Sequence, residues 1–154
     1  MNIIFLCLGI GFVAGLRSML APAVVSWAAY LGWLHLGDSG LRFMASPISV
    51  AAFSLLALGE LIADKLPFIP KRTEPGPLVV RLVSGGLSGA CLGWSANQSW
   101  TSGAAAGAIG AIIGAFAGYH LRRRLTLGAG LKDFCVALPE DLLAIALACY
   151  LVSR

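Results

Sequence analysis

Charge is what this chain has least of. Only 12% of its 154 residues are Asp, Glu, Lys or Arg, seven of these are acidic, and there are two histidines. A soluble domain carries about 25% charged residues, so composition argues against a soluble enzyme, a disordered tail or a nucleic-acid-binding domain. The four cysteines, Cys7, Cys91, Cys135 and Cys149, form no Cys-x-x-Cys pair. That leaves no basis for a disulfide or a metal site, and they read as small hydrophobes. His35 beside Asp38 lacks the further ligands a metal needs. There is no Walker lysine motif, and Gly9-x-Gly11-x-x-x-Gly15 has no strand before it. Neither metal nor cofactor is expected. No basic segment precedes the first apolar run and no small-x-small site ends it, so it reads as a retained span rather than a signal peptide.

Apolar residues fill the space left by charge. They make up 58% of the chain, with a mean hydropathy of +0.86. A soluble monomer of this size cannot hide that much apolar surface. Crossing about 30 Å of hydrocarbon takes about 20 apolar residues in a helix. Five stretches qualify: 3–34, 47–63, 78–96, 103–121 and 134–152. The expected fold is one all-α membrane-embedded domain, residues 1–154, with about five transmembrane helices. The first stretch, at about 31 residues and roughly 46 Å, is too long for one straight span. It either tilts or breaks near Arg17 to Pro22, where proline removes a backbone donor. The fifth breaks if Pro139 opens a helix with Glu140 and Asp141 in its first turn.

Basic residues set the orientation. Lys65, Lys71, Arg72, Arg81, Arg122, Arg123, Arg124 and Lys132 lie on one side, against Arg42 and Arg154 on the other. Positive charge marks the cytoplasmic side. The C-terminus is therefore expected outside, and the N-terminus inside if there are five full spans. The net charge of +4 reflects this placement, so the partner is the lipid bilayer and not nucleic acid. Trp27, Trp33, Trp94 and Trp100 fall toward the outer ends, as an interfacial belt requires.

Glycine recurs with helical spacing: Gly11 and Gly15; Gly85, Gly89 and Gly93; Gly103, Gly107, Gly110, Gly114 and Gly118. Each set lies on one helical face and lets a neighbouring backbone approach closely. These faces predict a tight bundle or a glycine-lined homodimer interface.

Ionisable groups within apolar spans are costly and point to function by default. Arg17 is the deepest, followed by Ser18. Glu60 and Asp64 share a helical face at i and i+4, and Glu140 and Asp141 open the polar face of the last span. Arg17 and the loop Lys71-Arg72-Thr73 are candidate partners for both acidic groups, and in the structural reading Arg17 pairs with Glu60 or Asp64 to pin two helices. Residues 65–77 hold four prolines and form a stiff cytoplasmic loop, placing Arg72 and Thr73 where they can bind phosphate or carboxylate. Gly86-Leu87-Ser88-Gly89 matches a rhomboid-type serine motif, but His120 lies about 10 Å away in depth. An enzyme is the least favoured reading.

Three elements resemble a bacterial membrane-protein family known only as a domain of unknown function, four-one-two-six. They are Gly15-Leu16-Arg17-Ser18, the Glu60 to Arg81 stretch with Glu-Leu-x-x-Asp-Lys-x-Pro and Pro-x-Arg-Thr, and the glycine-rich fourth span. The resemblance implies a small multi-pass protein of the inner membrane and brings no activity with it. The residues themselves favour a small transporter or channel-like protein for an ion or small anionic solute, with proton coupling. Arg17, Ser18 and Glu60 line its site, Asp64, Glu140 and Asp141 handle protons or cations, and Arg72 and Thr73 sit at the cytoplasmic mouth. The alternative is a non-transporting module that binds lipid or a partner protein, with the charges as helix pairs.

Overall fold

A computed structural model describes residues 2–63, 75–128 and 133–154, without side-chain detail over 125–128 and 133–137. Among the described residues the chain is all-helical, with no strand. Its helices are α1 (Ile3–Leu16), α2 (Leu20–Tyr30), α3 (Pro47–Ala63), α4 (Pro75–Ser95), α5 (Trp100–Gly128) and α6 (Asp133–Val152), plus a 3₁₀ turn at Arg42–Ala45. Pro75–Ser95 and Trp100–Arg124 are long and apolar enough to cross a membrane, whereas α1, α2 and α3 are shorter apolar helices.

Proline explains most of the helix starts. Pro47 opens α3, and Pro75 opens α4 with Pro77 in its first turn. First-turn N–H groups have no intrahelical acceptor, so proline loses nothing there. The stiff loop expected over 65–77 therefore ends earlier, and its residues 65–74, with Asp64, Arg72 and Thr73, lie outside the described residues. Pro22 sits in the first turn of α2 and marks a helix start rather than a kink. Pro139 is the exception. It lies inside α6, which runs on through it, so the break expected in the last span is not seen. Arg122, Arg123 and Arg124 belong to α5 rather than a loop, since arginine is a good helix former and its stem keeps the charge at the rim.

The first stretch is broken. Arg17 ends α1 in an extended conformation, φ −138° and ψ 110°, and α2 begins three residues later at Leu20. The two helices then run in opposite senses. A cavity of about 500 Å³ is lined by Ile3 and Leu6 at the start of α1 and by Trp33 and Leu34 just beyond α2. Its other walls are Leu92 and Ser95 at the end of α4 and Val152 to Arg154 at the chain terminus. Both ends of the first stretch thus lie at the same end of the bundle as the C-terminus. An N-terminus at the opposite end of the bundle from the C-terminus, expected for five full spans, is not what is seen, because α1 and α2 run antiparallel. The exposed Trp33, Trp94, Trp100 and Tyr150 mark this end, and the Arg122 to Arg124 run marks the other.

The tightest packing joins α1, α4 and α5. A Cβ at Gly11 would strike the Gly107 carbonyl oxygen, and one at Gly107 would strike the Gly85 carbonyl oxygen. Gly89 and Gly93 face Gly103, while Gly110 and Gly114 face the backbone of Leu8 and Phe12. Gly15 faces Ala111 and Gly114. These glycine faces are filled within the chain, where small residues let helix backbones approach. Those faces are thus occupied within one chain, while Gly118 lines a groove between α5 and α6. Large apolar side chains point outward instead, among them Ile48, Leu55 and Ile62 on α3, Val83 on α4 and Leu143 on α6.

Candidate functional site

The break at residues 17–19 is where the polar groups converge. Ending α1 there leaves backbone groups without helical partners, and burial demands that they be satisfied. Glu60, near the end of α3, does most of this. Its Oε1 accepts from the Ser18 backbone N–H at 2.8 Å and from the Ser18 hydroxyl at 2.7 Å, and its Oε2 accepts from the Met19 N–H at 2.9 Å. A carboxylate from α3 thus satisfies the turn that leads into α2, at Ser18 and the N-cap Met19. Its negative charge also suits the positive end of the α2 dipole.

Arg17 turns the other way. It is 1% exposed, its Nε donates to Asp141 Oδ1 at 2.7 Å, and its Nη2 lies 2.5 Å from the same oxygen. The expected pairing with Glu60 or Asp64 is therefore corrected to Asp141. Helical geometry supplies the reason. Asp141, Ala144, Ala148 and Leu151 are buried on one face of α6. Leu151 meets α1 at Gly9, which carries Asp141 to the far end of α1. Glu140 is rotated about 100° from its neighbour on the helix and lines a different cavity, beside Arg122 and Pro139. The two acids do not act as one group.

Arg81 is a buried residue that charge counting passes over. It is 5% exposed on α4, four residues before Gly85, on the stripe that continues through Gly89 and Gly93. That spacing was the available signal, because a charge on a small-residue face must enter the bundle. Arg81 keeps interactions of its own there. Side chains from α1, α3 and α6 therefore meet at the break, roughly 20 Å from the tryptophan end along α3 at about 1.5 Å per residue.

The serine-protease reading fails on position. Ser88 is fully buried, and its neighbour Gly89 packs on Gly103 and Gly107. His120 is exposed, 13 residues beyond Gly107 in α5, or roughly 20 Å along the helix. Of the cysteines, Cys7 and Cys91 are buried and Cys149 is exposed, all with free thiols, while the Cys135 side chain lies outside the described residues. Cys7 donates to the Gly89 carbonyl at 3.3 Å, as a packed thiol does. No group of His, Cys, Asp and Glu suited to a metal is found among the described residues.

No curated protein and no solved structure matches this chain. A family model described as "Domain of unknown function (DUF4126)" matches residues 4–153. That match takes in the broken first stretch, Glu60 and Asp141 alike, and the chain belongs to this family.

Proposed function

We propose that the chain is a small integral protein of the bacterial inner membrane that passes an ion or small anionic solute, coupled to protons, through the break between α1 and α2. The basic segments face the cytoplasm, and the tryptophan end, with both termini, faces outward. One observation carries the reading: the Glu60 carboxylate occupies the N-terminus of α2, held by two backbone N–H groups and one hydroxyl. Discontinuous helices with polar groups at their broken ends are how membrane transporters build substrate sites. The donors that hold Glu60 also suit a small anion, because a helix N-terminus binds negative charge. A proton on Glu60 would set an O–H against N–H donors and weaken its hold. An anion could then take its place, which couples one proton to one negative charge. Arg17 at the same break holds its guanidinium on Asp141, and Asp64, Arg72 and Thr73 follow Glu60 in the sequence.

The Arg17–Asp141 pair favours a second reading. Two buried charges joined at 2.7 Å, one of them 1% exposed, suit a structural tie in a module that binds lipid or a partner without transport.

The test uses proteoliposomes with an entrapped pH dye and imposed gradients of chloride, nitrate or sulfate, with protein-free liposomes as the blank. The wild type is expected to move protons under at least one gradient. Glu60→Gln is expected to abolish the signal while eluting as the same monodisperse species. Folded wild type that is silent under every gradient would establish the structural reading instead.

A further inference from the structure

We propose that the groove between α5 and α6 holds one acyl chain of an anionic phospholipid, with its phosphate on Arg122. This rests on the membrane placement but not on transport. The groove is a cavity of about 450 Å³. Phe12 and Leu16 of α1 form its floor. On α5, Ala117 and Gly118 carry too little side chain to fill it. Leu143 forms part of the α6 wall and is 69% exposed, so the groove opens sideways to the surroundings.

The groove exists because α6 presents its small face, Ala144 and Ala148, to the core and leaves its larger residues to span the gap toward α5. Its polar end has a sign. Arg122 and Glu140 both line it, and Arg123 and Arg124, exposed at the next positions of α5, add positive charge near that end without lining the groove. Arg122 and Glu140 have other interactions. A guanidinium carries five donors, so it can add a phosphate to the bonds it already makes. An apolar slot with a cationic end fits an amphiphile with an anionic head. A helix from a second copy fits poorly, because a cylinder about 10 Å across fills this volume with about one turn.

The experiment titrates delipidated protein, in an uncharged detergent, with dioleoyl-phosphatidylglycerol or dioleoyl-phosphatidylcholine. Native mass spectrometry reads retained lipid. The wild type is expected to retain a single phosphatidylglycerol per chain and to prefer it over phosphatidylcholine. Ala117→Phe fills the groove from an exposed position and is expected to weaken retention about tenfold. Arg122→Gln is expected to erase the preference between the two lipids while the acyl contact remains. If Ala117→Phe does not fold, Leu143→Trp closes the opposite wall and makes the same test. Equal retention by the wild type and the filled variant would mean a general lipid shell only and would overturn the proposal. So would cross-linking of two copies through a cysteine placed at Leu143 with no lipid retained.

Discussion

Removing either partner of the Arg17–Asp141 pair should cost far more than removing both. Arg17 is 1% exposed and the Asp141 side chain 10%, so neither charge has water to fall back on. Their attraction at about 4 Å and an effective dielectric near 20 is about 4 kcal/mol, and the observed contact is closer than that. Asp141→Leu takes the carboxylate from a buried guanidinium, and Arg17→Met takes the guanidinium from a buried carboxylate. Each single replacement is expected to destabilise by about 3–5 kcal/mol. The double variant removes both desolvation penalties along with the bond, and should lie within about 1–2 kcal/mol of the wild type. The coupling from the cycle is then at least about 4 kcal/mol, above the roughly 0.5–3 kcal/mol usual for touching residues. The assay is reversible unfolding of the purified protein in mixed micelles, followed by tryptophan fluorescence. Coupling below about 1 kcal/mol would refute the reasoning, since it would mean that water or lipid headgroups reach one of the two charges.

Packing and burial give further predictions in the same micelle assay. Gly107→Ala puts a methyl group against the Gly85 carbonyl oxygen and should cost about 1–3 kcal/mol or more, because two helix backbones must separate. Gly59→Ala is the control: nothing lies within 4 Å of its Cβ, and the change should stabilise α3 by about 0.5–1 kcal/mol. Ser88→Ala removes a fully buried hydroxyl oxygen that has no hydrogen-bond partner among the described residues, so stability should stay level or rise by about 1 kcal/mol. A loss above that size would show a hidden partner for Ser88, and loss of a hydrolytic activity would revive the serine motif.

The legible part of this fold was written in residues whose physics is local. Helix positions followed from apolar length, and the glycine stripes already named the faces that meet. Pro47 marked a helix start because a first-turn proline sacrifices no bond, whereas Pro75, read as part of a stiff loop, opens α4 for the same reason. Pro22 and Pro139 follow different rules in the same chain. Pro22 opens α2, whereas Pro139 lies inside a continuous α6. Periodicity cannot separate the two cases, because what decides is whether a neighbouring element satisfies the freed backbone. At residues 17–19 that neighbour is Glu60, 42 positions from Ser18. A break in a buried helix is affordable only where a distant side chain completes it, so break and carboxylate are one feature split across the chain.

The same separation hid the ion pair. Arg17 and Asp141 are 124 residues apart, and charge proximity in sequence pointed to Glu60 or Asp64 instead. Both Arg81 and Asp141 sit on faces otherwise made of small residues, Gly85-Gly89-Gly93 in one case and Ala144-Ala148 in the other. Small-residue faces are those that meet other helices, since a bulky side chain gains nothing by leaving lipid. A charge on such a face is therefore carried inward whatever its neighbours in sequence are. Glu140, one position off that face, reaches a groove on the surface instead. Which face a charge shares says more about where it ends up than which loop it lies near; on that criterion Arg81 and Asp141 select themselves as buried, while Arg17, in the extended break after α1, is buried against Asp141.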